Sequence, residues 1–215
     1  MSQQTDTTDM LAVHDGLRHE LARLPITVKA VSDGDVDRAG VVGGHVLLML
    51  DFLHAHHSSE DLIIWPLLSE RVPMNAELIA DMQAQHDVMV PLADRARSEA
   101  EAWMVAAGPQ ERAGLHTTLI ALEKELLHHL AVEEQQVLPL IQQNLTPEEY
   151  ESVGAHSRAE FSPEQLSIVL GFILANTSVE RGEAILAPMP PEARAGFEQF
   201  GRPAYTAYRA RLAEY

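Results

Sequence analysis

The sequence predicts an all-α protein, an up-down-up-down four-helix bundle followed by a C-terminal extension of short helices. Three observations carry this expectation. Apolar residues recur at helical spacing in four long segments separated by turns rich in Gly, Pro and Asp. No segment sustains the period-two alternation of a strand. From Thr146 onward the punctuation thickens, with Thr146-Pro147, Ser162-Pro163, Pro188, Pro190-Pro191 and Pro203, so residues 1–145 are expected to form the bundle and 146–215 the extension packed on it.

The first helix carries Met10, His14, Leu17, Leu21, Leu24 and Val28, with Asp9 or Thr8 as N-cap, and is expected to reach about Ser32. Pro25 should kink or break it, and Asp33-Gly34-Asp35 reads as a turn. The second is expected over Asp35 to Arg71, with the stripe His45, Met49, Phe52, His56, Glu60, Ile63 and Leu67, bent at Pro66 and ended by Pro73. The third begins near Asn75 and aligns Ile79, Met82, His86, Met89 and Ala93, with Pro91 inside the pattern and Gly108-Pro109 at its end. The fourth aligns Leu115, Leu119, Leu122, Leu126, His129, Glu133, Val137 and Leu140. In the extension, Glu164 to Ser178 and Pro203 to Glu214 still read as helices.

Composition narrows the function. Among 215 residues, 32 acids outnumber 15 bases for a formal charge of −17, which argues against nucleic acid or an anionic membrane as partner. There is no cysteine, so disulfides, thiol nucleophiles and thiolate metal sites are excluded, and any metal must take His and carboxylate. The polar N-terminus lacks a basic region followed by an apolar run, and the most apolar run, Val41 to Leu53, is interrupted by His45 and Asp51; a cytoplasmic protein is expected.

Eleven histidines ask for an explanation. His56-His-Ser-Ser-Glu60-Asp61, ending in Pro66-Leu, and His129-Leu-Ala-Val-Glu133-Glu134, ending in Pro139-Leu, share one frame: His, three residues, Glu, an acid, four residues, Pro-Leu. Residues four apart on a helix lie on one face, so each repeat offers an imidazole beside a carboxylate. His14, His56 with Glu60, His86, and His129 with Glu133 all interrupt core stripes, and each helix supplies at least one. Two buried carboxylates in one core call for a cation, and four imidazoles with two carboxylates suit iron, with manganese or zinc as substitutes.

This pattern, H, HxxxE, H, HxxxE in order on four helices over roughly residues 8 to 143, resembles the hemerythrin-like, or HHE cation-binding, family. The resemblance implies a non-haem, oxo- or hydroxo-bridged di-iron centre on these six residues. It also implies a small diatomic or peroxide ligand: dioxygen, hydrogen peroxide or nitric oxide. The alternative is a non-catalytic iron or oxygen sensor. Oxygen-carrying members are similar but place a second histidine one turn after the first in helix three, where this chain has Val90. Their fourth-helix acid comes five residues after its histidine, which would select Glu134 over Glu133. One histidine fewer leaves the metals more open to solvent, favouring redox turnover or sensing over reversible carriage.

Other readings weigh less. A lone histidine on an apolar stripe is ordinarily a hydrogen-bonded core residue, which His14 and His86 escape only by matching the two repeats. His57 with Asp61 rivals His56 with Glu60, since Leu50, Leu53, Ile64 and Leu68 give it a stripe too; the shared distance to the prolines favours His56. Asp61 and Glu134 read either as acceptors for ligating imidazoles or as merely solvated acids. His45, roughly 16 Å up the axis from His56, reads as a polar core or channel residue, and His128 as exposed. The methionines and both tryptophans are core by default. A ferritin-like ExxH pair occurs at Glu125 and His128 without a second, and His19-Glu20 does not continue into HExxH.

Overall fold

In the computed structural model, which describes residues 4–213, every regular element is helical and no strand occurs among the described residues. Helix α1 (Thr8–Ala30) buries Met10, His14, Leu17, Leu21, Leu24 and Val28. It starts earlier than Asp9: Thr7 is the N-cap, and Asp6 accepts the Thr8 N–H at 2.9 Å. Pro25 sits inside α1 without breaking it. The helix ends at Ala30, short of Ser32, where Val31 turns extended, and Gly34 takes φ 79° in the following turn, a left-handed value that glycine adopts without strain.

Two of the rods contain a wide turn that the periodicity did not anticipate. Helix α2 (Val36–Ser59), capped by Asp35, runs through a π-helical turn (Glu60–Ile64) into α3 (Trp65–Arg71). Past α4 (Ala76–Ala106), helix α5 (Pro109–Val132) runs through a second π turn (Glu133–Val137) into α6 (Leu138–Asn144). The Trp65 N–H reaches the Glu60 carbonyl and the Leu138 N–H reaches the Glu133 carbonyl. Each wide turn precedes a proline that has no N–H to give and would clash with the carbonyl four residues back in a regular helix.

The added residue rotates the downstream part of each rod by about 100°. The buried side chains are therefore Ile64, Trp65 and Leu68 where Ile63 and Leu67 were expected, and Leu138 and Ile141 where Leu140 was expected. A third π turn (Phe197–Gly201) stands in the same relation to Pro203, whereas Pro91, like Pro25, lies in unbroken α-helix.

The first rod packs on α2 and α5, and α4 packs on the same two helices. Two apolar clusters fill the interior. One holds Leu17, Leu24, Met49, Phe52, Met89, Trp103 and Leu126, and the other Met10, Ile64, Trp65, Leu68, Met82, Val137 and Ile141. On every rod the polar positions fall between them: His14 between Met10 and Leu17, His56 between Phe52 and Ile64, His86 between Met82 and Met89, His129 between Leu126 and Val137. Burial of each large apolar side chain stabilises by about 1.5–3 kcal/mol, so the two clusters hold the polar layer in place. Met74, at 98 % exposure, departs from the expectation that methionines are core.

The remaining chain forms α7 (Pro147–Ala159), α8 (Pro163–Asn176), α9 (Val179–Leu186), α10 (Pro191–Gly196) and α11 (Arg202–Ala213). Thr146 with Glu149 and Ser162 with Gln165 make reciprocal capping boxes, which start α7 and α8 at the two Ser/Thr-Pro steps. Helices α8 and α9 lie on α1, α11 lies on α8, and α7 lies on α2 and the first π turn. The expected helices end at Asn176 and Ala213; Glu214 lies outside the described residues.

Candidate metal centre

The polar layer brings together all six residues expected from the sequence, and adds a seventh. His14, His56, Glu60 and Glu133 form one group whose donor atoms lie within 4.8 Å of one another; His57, His86 and His129 form a second. All seven are buried, with His14, Glu60, His129 and Glu133 at 0 % exposure.

Outer partners set which nitrogen of each ring faces inward. His14 Nδ1 lies 3.1 Å from Glu134 Oε1, His86 Nδ1 lies 2.8 Å from Asp61 Oδ1, and His129 Nδ1 lies 3.3 Å from the side-chain Oε1 of Gln85. A carboxylate or amide oxygen only accepts, so each Nδ1 carries the proton and donates. Each Nε2 is then left with a lone pair aimed into the layer, the arrangement that fixes the tautomer of a metal-ligating imidazole. The Nε2 atoms of His86 and His129 are 3.2 Å apart, close enough to share a proton or to face one cation.

The inner atoms are otherwise unsatisfied. The Nε2 atoms of His14, His56 and His57 and both oxygens of Glu60 and Glu133 are buried and make no hydrogen bond. Leaving so many buried acceptors unpaired would cost about 1–3 kcal/mol each, and more for charged ones. The carboxylates also span the two groups. Glu60 places Oε1 3.3 Å from His56 Nε2 and Oε2 3.5 Å from His86 Nε2, while Glu133 Oε2 is 3.3 Å from His14 Nε2 and 3.6 Å from His129 Nε2. Imidazole and carboxylate donors, without thiolate, fit iron, manganese or zinc.

Electrostatics in the absence of a cation agree. Burial and then the charge of Glu133 push Glu60 well above the usual carboxylate range. Burial would raise Glu133 too, but His14 outweighs it and holds Glu133 at about 2; in return Glu133 overcomes the burial of His14 and lifts it to about 9. Burial, reinforced by neighbouring imidazoles, drives His56 and His57 well below the usual histidine value, and burial takes His129 to about 4. His56, His57 and His129 are thus kept neutral, as metal ligands must be, whereas His14 without a cation is a charged ring paired with Glu133 and would give up its inner proton to a metal.

The hemerythrin HHE cation binding domain matches residues 5–141. The chain belongs to that family. No curated protein and no solved structure matches it. The family match ends within α6, so the helices from Pro147 onward lie outside it.

Against that family background the seventh residue stands out. Val90, at the helix-three position where oxygen carriers place a second histidine, is 53 % exposed and points away from the layer. A third imidazole comes instead from His57, which stacks on His86 with ring centroids 4.0 Å apart and lies 5.0 Å from His129. The sequence signal for His57 was its own apolar stripe, but His56 and His57 read as rivals when the structure buries both. The layer therefore holds five imidazoles where the sequence led to an expectation of four. Of the two candidate acids in the fourth rod, Glu133 enters the layer, while Glu134 stays at its edge as the acceptor for His14.

The other histidines lie elsewhere. His45 is buried against Glu20 at 3.4 Å and Tyr208 at 3.3 Å, as a polar core residue; His19, His54 and His128 are exposed, so Glu125 and His128 form no ferritin-like half-site. Gln85 had no sequence signal.

Proposed function

We propose that this chain is a non-haem di-iron protein that binds or reacts with a small oxidant: dioxygen, hydrogen peroxide or nitric oxide. The observation that carries the reading is that Glu60 and Glu133 each approach imidazoles of both groups, the disposition expected of carboxylates bridging two ions. The ligands would be His14, His56, Glu60 and Glu133 on one side, and His57, His86 and His129, with the bridging carboxylates, on the other. Bound as a pair, two irons would supply two-electron redox chemistry toward dioxygen or peroxide.

The chain's own residues supply the setting. Asp61, Glu134 and Gln85 hold three rings with Nε2 inward. The apolar clusters above and below keep bulk water from the layer. Trp65, with its ring 5.8 Å from that of His86, closes one side. We read residues 1–145 as the metal-holding part, with its rods up-down-up-down; in support, the layer draws on early residues of α1 and α4 and late residues of α2 and α5. No helix among the described residues is long and apolar enough to cross a membrane.

Metal analysis and Mössbauer spectroscopy on protein loaded anaerobically with ferrous iron test the reading. Two irons per chain with a coupled diferric signal after oxidation are expected. Protein that takes up no iron would end it.

A further inference from the structure

The extension reaches the metal layer through a line of charges. His14 donates from Nδ1 to Glu134 Oε1 at 3.1 Å, and Arg18 Nη2 donates to the same oxygen at 2.8 Å. The second nitrogen of Arg18, Nη1, turns to Asp15 Oδ1 at 3.3 Å. The other oxygen of Asp15 is taken wholly by the extension: Arg181 Nη1 of α9 lies 2.7 Å and Thr177 Oγ1 of the α8–α9 junction 2.6 Å from Oδ2. Charge alternates along the whole path, from Glu134 to Arg18 to Asp15 to Arg181.

The backbone is built to keep this path short. A Cβ at Gly16 would stand 3.1 Å from Cγ1 and 3.3 Å from Cα of Ile173, so only a glycine next to Asp15 lets α8 settle this closely on α1. Asp15 is well covered, its side chain 14 % exposed, while Arg18 is 32 % and Glu134 27 % exposed, each with its charged end in an ion pair. Their positions depend on the ion pairs. His86 is different: its acceptor Asp61 is 47 % exposed and lies on the π turn beside α7, apart from this line of charges.

We propose that Asp15, clamped by Arg181 and Thr177, is a positioning residue for the metal ligand His14, acting through Arg18 and Glu134, so that the α8–α9 part of the extension tunes one of the two metal positions and not the other. The proposal rests on the di-metal reading above. Loss of the clamp lets Asp15 and then Arg18 rotate into solvent, and the Glu134 carboxylate no longer fixes the His14 ring. Loss of a direct outer partner of a metal-ligating histidine lowers affinity about 10- to 100-fold, so a change further along the line should cost less, about threefold to tenfold.

The test is a titration of the full-length protein with cobalt(II) against a competing chelator, read by binding constants and by the ligand-field absorption of each bound equivalent. Arg181→Gln and Thr177→Val are expected to weaken one equivalent about threefold to tenfold and shift its absorption, leaving the second unchanged. Arg181→Lys should restore most of the loss, and Asp61→Asn should act on the second equivalent instead. Arg181 is partly exposed, so its loss leaves the apolar core intact. If both variants bind both ions with wild-type constants and spectra, even with a lowered melting temperature, the clamp is structural only and the inference falls while the metal reading stands. Wild-type protein that takes up no cobalt overturns both.

Discussion

The two halves of the metal layer descend from one sequence frame and do not use it equally. In both, the histidine and the glutamate four residues later point inward, a π turn opens at the glutamate, and the proline comes after it. The acid after the glutamate serves a different rod in each case: Asp61 receives His86 and Glu134 receives His14. Each repeat thus brings one inward His–Glu pair and an acid that receives the lone histidine of another helix.

The halves part at the residue beside the histidine. His57, next to His56, is buried and stacked on His86, whereas His128, next to His129, is exposed. Adjacent helical residues lie about 100° apart, so both can be buried only where the helix is covered over a wide arc. Helix α2 is covered by α1, α4 and α7; α5 is covered by α1 and α4. The glutamates also differ, since Glu60 offers one oxygen to each group and Glu133 offers the same oxygen to both. A shared motif fixes which side chains leave the stripe, and the neighbours decide how many of them enter the layer.

The largest effect should come from the position where the halves differ most. His57→Ala should remove one of two bound metals, weakening it beyond the ~100-fold upper bound for outer partners, while His128→Ala leaves stoichiometry at the wild-type value. Equal behaviour of the two variants in metal analysis would erase the distinction. Next, Asp61→Asn and Glu134→Gln should each weaken a single metal equivalent by about 10- to 100-fold, the first at the His86 position and the second at His14, as competition titrations would resolve. Both acting on the same equivalent would break the assignment of acids to rods.

A smaller effect is expected from Val90→His. The position is solvent-facing, so stoichiometry should be unchanged and stability should move by no more than about 0.5 kcal/mol in a denaturant melt. A gain of metal affinity would mean that the third rod turns to admit a second histidine.

The smallest concerns the ends of the two halves. Arg71, at the end of α3, donates to the Asn144 carbonyl at the end of α6 and pairs with Glu149, whose carboxyl its hydrogen bond lowers from 4.5 to about 2. A depressed carboxyl stabilises the folded state above its unfolded value and loses that contribution as pH falls through the folded one. The melting temperature of Glu149→Gln should lie about one degree or less below wild type at neutral pH, with the gap closing between about pH 4.5 and 2.

Much of this was legible from local pattern. Rod boundaries followed apolar spacing and caps such as Asp35, Thr146 and Ser162, and six of the seven inward side chains broke a stripe at a position where leucine would otherwise stand. The π turns were written only as prolines, and their effect, a one-residue shift of the buried face past Glu60 and Glu133, reverses an expectation drawn from a constant period. A regular period cannot reveal where it is interrupted.

The sequence by itself determined that four helices would carry imidazoles and carboxylates into one layer, because helical geometry places residues four apart on the same face and burying bare carboxylates is costly. Only the tertiary structure decided that His57 joins the layer, that Glu133 rather than Glu134 enters it, and that Gln85, Asp61 and Glu134 orient its rings. Each of those depends on which helix lies alongside, and contacts between residues far apart in the chain leave no periodic trace along it.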